Sequence, residues 1–243
     1  MMKNVNKNEL ELGVNGSRII CEQYGDIKNA KKIVLFCHGF PGSNRLDRLW
    51  DHLNNESILV IEMNYRGDKK SEGIFSFLGS MEDIKTAANY LKRNYNLPLY
   101  ALGISMGGLY ISNIISQEPE LFNKVILLNP VVDSMALFSD KCLMDELWEV
   151  ANNLLELKTP KDYEEEVKMV TSKYNPMGLA KKIENNITII QSTADEVTDP
   201  EFVKRFYSLL DCEKSYYDVL NGKHDLKGDE KELINRVKLV LIN

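Results

Sequence analysis

Ser105 lies at the centre of a Gly-x-Ser-x-Gly motif, Gly103-Ile104-Ser105-Met106-Gly107. The motif follows the apolar run Leu99–Leu102 and precedes the helix-like segment Leu109–Ser116, so it predicts a strand, a sharp turn and a helix. Such a turn raises the serine hydroxyl into the open, and its glycines avoid clashes with the strand and helix. The motif therefore indicates a nucleophilic serine. The alternative is a glycine-rich turn that only lets a helix pack closely on a sheet.

A serine hydroxyl needs a general base, and the chain has three histidines as candidates. His52 lies in an amphipathic segment beside Trp50, where a surface or packing role is expected. His38 directly follows an early strand and belongs to a different motif. His224 lies in a turn-rich loop between the last predicted strand and the last helix. We therefore predict that His224 is the base.

The base needs a carboxylate that fixes its tautomer and orientation. Asp195 follows the predicted strand Ile187–Ile190, at the edge of the sheet from which it can reach the histidine. Glu196 and Asp199 are close enough in sequence to compete for this role. We predict that Asp195 is the acid, and the alternative is an ordinary solvated carboxylate.

The last requirement is an oxyanion hole, because acyl transfer passes through a negatively charged tetrahedral intermediate. His38-Gly39-Phe40-Pro41 directly follows the strand Ile33–Phe36. Its glycine permits a loop that turns the amide of Phe40 toward the serine. The Met106 amide, at the start of the next helix, is the expected second donor. A plain strand-to-helix turn is the alternative for this loop.

The elements that must position these residues are short apolar runs alternating with amphipathic helices. Glu9–Tyr24 predicts an antiparallel hairpin around Asn15-Gly16, a pair typical of a type I′ turn. Five apolar runs predict buried parallel strands, and a final short strand is predicted at Ser215–Val219. The five runs are Ile33–Phe36, Ile58–Met63, Leu99–Leu102, Val125–Leu128 and Ile187–Ile190.

Helices are predicted between these strands and at the end of the chain. Ser80-x-x-Asp83 resembles a capping box that opens a helix. Asp199-Pro200 begins another helix, and Lys231–Leu241 closes the chain as an amphipathic helix. Residues 131–173 contain helical patterns without a strand and predict an inserted helical cap. We expect residues 1–243 to form a single α/β domain, with a mostly parallel sheet and helices on both faces.

Composition excludes several other classes of protein. The formal net charge of −6 gives no basic footprint for nucleic acid, and no segment reads as a membrane span. Met1–Glu11 lacks the apolar region of a secretory signal, and the four cysteines are scattered without a CxxC pair. We therefore expect a cytoplasmic protein with reduced thiols. A metal site at Cys37 and His38 lacks further ligands at suitable spacing, and neither a metal nor an organic cofactor is expected.

These motifs together resemble the α/β-hydrolase superfamily over nearly the whole chain. Ser105, Asp195 and His224 follow the family's order, and His38-Gly39-Phe40-Pro41 is similar to its HGxP oxyanion loop. Asn64-Tyr65-Arg66-Gly67 resembles the family's D-x-R-G segment. In the family this segment usually continues to G-x-S, whereas here Asp68-Lys69-Lys70-Ser71 follows.

The resemblance also implies a subgroup and a reaction. A serine nucleophile differs from the aspartate of the dehalogenase and epoxide-hydrolase branches, and the HGGG motif of the hormone-sensitive-lipase-like esterases is absent. The compact size with one helical insertion is similar to small carboxylesterases of the cinnamoyl and feruloyl esterase type. The expected reaction is hydrolysis of esters or thioesters of small to medium acyl or aromatic acids. An acyltransferase or thioesterase with the same triad, or a binding protein that keeps only the fold, are the alternatives.

Apolar residues of the predicted cap are candidates for a substrate pocket, although about half of them are expected to pack within the cap instead. The expected partner is a small-molecule ester, and the sequence leaves the oligomeric state open. The candidate pocket residues are Met135, Leu137, Phe138, Leu143, Leu147 and Trp148.

Overall fold

The computed structural model describes residues 7–42, 46–68, 70–226 and 230–242. Lys69 of the Asp68–Ser71 segment and residues 1–6 of the N-terminal Met1–Glu11 segment lie outside these ranges. Eight strands form one sheet within the described residues. They are β1 (Lys7–Val14), β2 (Ser17–Tyr24), β3 (Lys32–Cys37), β4 (Ile58–Met63), β5 (Leu99–Ile104), β6 (Lys124–Leu128), β7 (Ile187–Ser192) and β8 (Lys214–Val219).

The strands lie in the order β1-β2-β4-β3-β5-β6-β7-β8. β1 pairs with β2, and β2 with β4, in antiparallel register, whereas every pairing from β4 through β3 to β8 is parallel. Asn15 and Gly16 join β1 to β2 with φ of 49° and 85°, the positive values that a type I′ turn requires. The predicted hairpin and parallel sheet are therefore confirmed.

Helices cover both faces of the sheet because the sheet strands are apolar on both sides. In β3, Ile33 and Leu35 face one core, and Val34 and Phe36 face the other. The helices are α1 (Asp47–Asn55), α2 (Phe77–Asn94), α3 (Met106–Ile115), α4 (Ser134–Ser139), α5 (Lys141–Leu154), α6 (Glu164–Ser172), α7 (Pro176–Leu179), α8 (Pro200–Leu209) and α9 (Glu230–Ile242).

The two cores differ in what they contain. α1 and α9 pack on one face, whereas α2, α3 and α8 cover the other together with buried residues of α4, α5 and α6. Helices α4, α5, α6 and α7 all lie between β6 and β7 in the chain. Among the described residues, no helix combines the length and the apolar character needed to cross a membrane.

The start of α2 corrects one sequence prediction. Ser76 caps this helix by accepting a backbone N–H of its first turn, and the helix begins at Phe77. Ser80 and Asp83 therefore lie inside α2, both fully buried, and the capping box predicted at these residues is wrong. The carboxylate of Asp83 binds the guanidinium of Arg66 and does not cap a helix.

Candidate active site

Ser105 forms the sharp turn between β5 and α3. Its backbone has φ 54° and ψ −119°, a conformation that costs a residue with a side chain of the order of 1–3 kcal/mol. The main chain at the end of β6 and just beyond it holds the serine in place: Ser105 N donates to Leu128 O at 3.0 Å, and Val131 N donates to Ser105 O at 2.9 Å. The strain is thus fixed by bonds on both sides of the serine peptide.

Two glycines let backbone segments approach this turn closely. A Cβ atom on Gly107 would lie 1.9 Å from the carbonyl oxygen of Cys37, so only glycine fits where α3 crosses the end of β3. A Cβ on Gly39 would lie 2.9 Å from Cβ of Ser105 and 3.3 Å from its Oγ. The oxyanion-loop candidate therefore lies directly against the serine, and Gly103 fits equally tightly under α3.

The structure brings the three predicted triad residues together. The Oγ of Ser105 lies 3.0 Å from Nε2 of His224, and Nδ1 of His224 lies 2.9 Å from Oδ2 of Asp195. The other histidines lie elsewhere: His52 Nδ1 contacts Arg48 O within α1, and His38 Nδ1 contacts the neighbouring Gly39 O. A hydroxyl, an imidazole and a carboxylate in this chain of hydrogen bonds can move a proton from serine to histidine.

The surroundings of Asp195 keep it ionised. Its Oδ1 accepts from the amides of Val197 and Thr198, both at 2.8 Å, and its Oδ2 accepts from the Thr198 hydroxyl at 2.7 Å. Burial alone raises the pKa of Asp195, but the hydrogen bond and charge of His224 and the bonds from Thr198 lower it below its ordinary value on balance. A carboxylate in this state favours a histidine with a proton on Nδ1.

The two competing carboxylates have other positions. Asp199 caps α8, where it accepts from Glu201 N at 2.8 Å. Glu196 lines a cavity beside Asp195. Asp195 supplies the carboxylate that hydrogen-bonds to the His224 ring among the described residues.

The two candidate oxyanion donors are the amides of Phe40 and Met106. Met106 begins α3 directly after Ser105, and Phe40 follows Gly39, which packs on the serine side chain. Within the described part of the chain, neither amide donates a hydrogen bond to another protein group. His38 supports this loop: its ring lies 4.3 Å from that of Tyr65, whose hydroxyl donates to His38 O at 3.0 Å.

An aromatic cluster joins the candidate oxyanion loop, which contains Phe40, to the helices between β6 and β7. The ring of Phe40 has three neighbours, Phe75 at 5.1 Å, Phe77 at 5.3 Å and Trp148 at 5.1 Å between centroids. Phe77 also contacts Phe138 at 5.4 Å. We define the aromatic cluster as Phe40, Phe75, Phe77, Phe138, Trp148 and Tyr163.

The predicted pocket residues fall into three groups. Phe138 and Trp148 belong to the aromatic cluster, and Leu147 packs half-buried against the same core. Leu137 and Leu143 line a cavity of about 310 Å³ beside Asp195. Met135 is 57% exposed and is not among the described residues that line this cavity.

Comparisons with known proteins show the family of this chain. Residues 28–176 match the sequence model of the serine aminopeptidase, S33 family, a group of α/β-hydrolases. The chain belongs to this family. The expected resemblance to α/β-hydrolases is therefore confirmed, and family and relatives indicate a hydrolase of the esterase and lipase type.

The S33 hydrolase has relatives over most of its length. It is 24% identical to a monoglyceride lipase homolog of monkeypox virus, over 88% of this chain and 89% of the viral protein. The solved structure of Est1E from Butyrivibrio proteoclasticus with bound ferulic acid superimposes with a TM-score of 0.77 at 16% identity, covering 96% and 98% of the two chains. A monoacylglycerol lipase of Paleococcus ferrophilus gives a TM-score of 0.73 at 18% identity, covering 92% and 98%.

Sequence reasoning left open the role of Arg66 in this S33 hydrolase. Its guanidinium donates to Asp83 at 2.8 and 3.2 Å and to Glu82 at 3.1 Å, and its amide also donates to Asp83. Burial raises the pKa of Asp83 on balance, although Arg66 opposes this. The Asn64–Gly67 segment is therefore held onto α2, and its Tyr65 contacts His38 of the candidate oxyanion loop.

Sequence reasoning also missed Asn129, at the end of β6. Its side chain is fully buried and hydrogen-bonds to the loops that carry Asp195 and His224. In the sequence, Asn129 follows an apolar run and precedes Pro130. This position indicates the end of a strand, but it does not indicate what the side chain contacts.

Proposed function

We propose that this S33 hydrolase cleaves carboxylic esters with Ser105 as nucleophile, His224 as general base and Asp195 as the acid that orients it. The observation that carries this proposal is the unbroken hydrogen-bonded chain from Ser105 Oγ to His224 Nε2 at 3.0 Å and from His224 Nδ1 to Asp195 Oδ2 at 2.9 Å. A protein that only binds ligands has no need of this arrangement, which costs backbone strain at the serine.

The reaction proceeds through an acyl-enzyme. The hydroxyl proton of Ser105 passes to His224 Nε2 while Oγ bonds to the ester carbonyl carbon. The carbonyl oxygen becomes an oxyanion that accepts from the amides of Phe40 and Met106. The C–O bond to the alcohol then breaks, and His224 returns the proton to the leaving oxygen. Water repeats the sequence on the acyl-enzyme and releases the acid and free Ser105.

The proposed substrates are esters of small to medium acyl or aromatic acids, and thioesters of the same acids belong to the same class. The ring of Phe40, whose amide is the proposed oxyanion donor, contacts Trp148, and Phe138 joins the same aromatic cluster through Phe77. The viral relative is named for a monoglyceride, and ferulic acid is bound to Est1E, so both a fatty acyl and an aryl acid fit the class. We further propose that residues 131–173 act as the cap over this site, within a single domain.

The test of the nucleophile uses a fluorophosphonate probe, which phosphonylates activated serines. Wild type is expected to be labelled stoichiometrically and to hydrolyse p-nitrophenyl butyrate. Ser105→Ala is expected to lose both the label and the turnover, whereas Ser116→Ala, at the end of α3, is expected to keep both. Equal labelling of wild type and Ser105→Ala would assign the nucleophile elsewhere.

The test of substrate class compares kcat/KM over a panel. The panel contains p-nitrophenyl esters of 2–16 carbons, 1-monoacylglycerols, methyl ferulate and aminoacyl p-nitroanilides. Esters are expected to exceed the anilides by at least about 100-fold, a difference of about 2.7 kcal/mol in transition-state stabilisation. Faster cleavage of an aminoacyl anilide than of every ester would replace the proposed class by the peptidase activity that the family is named for.

A further inference from the structure

The proposed triad comes from three separate segments that the sheet must bring into register. Ser105 follows β5, Asp195 follows β7 and His224 follows β8. β6 lies between β5 and β7 in the sheet and carries none of the three. Its last residue, Leu128, accepts the hydrogen bond from Ser105 N. The end of β6 is thus the place from which all three segments can be held.

Asn129, the next residue, holds the two segments that carry the acid and the base. Its Oδ1 accepts from Ser192 N at 2.7 Å, at the end of β7. Its Nδ2 lies 3.1 Å from Ser192 Oγ and 3.2 Å from the carbonyl oxygen of His224 itself. A third acceptor, Lys223 O, lies at 3.3 Å, so one N–H of the amide is shared between two adjacent carbonyls of the histidine loop.

The backbone of Asn129 adds to the same link. Its N–H donates to Ile190 O of β7 at 3.0 Å. Its carbonyl oxygen lies 3.3 Å from the Thr198 hydroxyl, which donates to the carboxylate of Asp195 at 2.7 Å. Another bond, from Ala194 N to Gly222 O at 3.0 Å, also joins the two loops, but it does not contact His224.

An amide suits this position better than other side chains. The group must accept a hydrogen bond from a backbone N–H on one side and donate hydrogen bonds to carbonyl oxygens on the other. An ionised aspartate can only accept, and a leucine side chain can do neither. The residue also has φ 41°, in the left-handed region that asparagine tolerates better than most residues. It is fully buried, so water cannot replace a lost partner.

We infer that Asn129 is a positioning residue, which sets the place of the His224 backbone relative to Asp195 and thereby aligns the imidazole between Asp195 and Ser105. Asn129 touches no reacting atom and acts through His224. The inference rests on the proposed roles of Ser105, Asp195 and His224.

The test replaces Asn129 and measures rates per reactive serine. Glycine accepts φ 41° without strain, so Asn129→Gly removes only the side-chain bonds. The concentration of competent sites is titrated by fluorophosphonate labelling to completion. Per titrated site, kcat on p-nitrophenyl butyrate is expected to fall about 10- to 100-fold while KM changes less than about 3-fold. The second-order rate constant of fluorophosphonate inactivation is expected to fall by a similar factor.

Asn185 offers a matched control. It is also buried, and its Nδ2 donates to two loop carbonyls, Pro119 O at 2.6 Å and Phe122 O at 3.1 Å, just before β7 at the opposite edge of the sheet. Asn185→Gly is expected to lower the melting temperature but to keep both rates per titrated site within twofold. Asn129→Ser, whose hydroxyl both donates and accepts over a shorter reach, is expected to fall between wild type and Asn129→Gly.

Three results would overturn the inference. They are rates per titrated site within twofold of wild type in Asn129→Gly, an equal loss in Asn185→Gly, or equal rates in the serine and glycine variants of Asn129. Failure of the proposed function is distinct from these, because it shows as labelling and turnover that survive Ser105→Ala.

Discussion

The ring centroids of Phe40 and Trp148 lie 5.1 Å apart, with an angle of 71° between the ring planes. This edge-to-face contact joins the residue whose amide is the proposed oxyanion donor to helix α5, which lies between β6 and β7. Because such contacts contribute about 0.5–1.5 kcal/mol beyond their buried area, a change in α5 is expected to reach the proposed oxyanion loop.

Trp148→Ala is therefore expected to alter substrate preference as well as stability. We expect a loss of about 2 kcal/mol in the free energy of unfolding and a change of at least 5-fold in the ratio of kcat/KM for the 12-carbon and 2-carbon p-nitrophenyl esters. Val150→Ala, at a 48% exposed position of the same helix, is the control and should leave both within error. An unchanged chain-length ratio in Trp148→Ala would separate the aromatic cluster from substrate selection.

Backbone strain at Ser105 predicts that two inactive variants differ in stability. Ser105→Gly and Ser105→Ala both remove the nucleophile, but alanine keeps the Cβ atom that makes φ 54° unfavourable. We expect the glycine variant to be more stable than the alanine variant by about 1 kcal/mol, measured by urea denaturation. Equal stability of the two variants would show that the turn is relaxed.

The close crossing of α3 over β3 predicts a large effect of one methyl group. Gly107→Ala would place a Cβ 1.9 Å from Cys37 O, so the helix must shift and the serine turn with it. We expect a loss of about 3 kcal/mol or more in the free energy of unfolding and a loss of fluorophosphonate labelling. Gly178→Ala in α7, where no atom lies within 4 Å of the new Cβ, is expected to be neutral or slightly stabilising.

The lowered pKa of Asp195 predicts part of the acid sensitivity of the fold. Because this pKa is lower in the folded protein than its ordinary value of 3.8, the ionised carboxylate stabilises the fold above about pH 4. That contribution is lost as the pH falls through the folded-state pKa. In Asp195→Asn the free energy of unfolding should thus fall less steeply below pH 4, by up to about 1.4 kcal/mol per pH unit. Urea titrations between pH 2.5 and 6 measure this, and parallel curves for the two proteins would contradict it.

The sequence by itself determined the elements whose signals are local. Apolar runs gave the strands, Asn15-Gly16 gave the hairpin, and the glycines around Ser105 indicated a strand, a turn and a helix, because each depends on residues close together in the chain. The capping box predicted at Ser80 and Asp83 was wrong because it too was a local signal. It satisfied a local rule, whereas the partner of Asp83 is Arg66, 17 residues away.

Tertiary structure decided which side chains meet. Glu196 and Asp199 follow the end of β7 in the same loop as Asp195, and only the course of that loop brings Asp195 against His224. The contacts of Phe40 with Trp148 and of Asn129 with His224 join residues about 100 positions apart. They exist because β6 lies between β5 and β7 and because α5, after β6, packs against the loop that contains Phe40. Strand order and helix packing are set by the burial of the whole core, which no short stretch of sequence encodes.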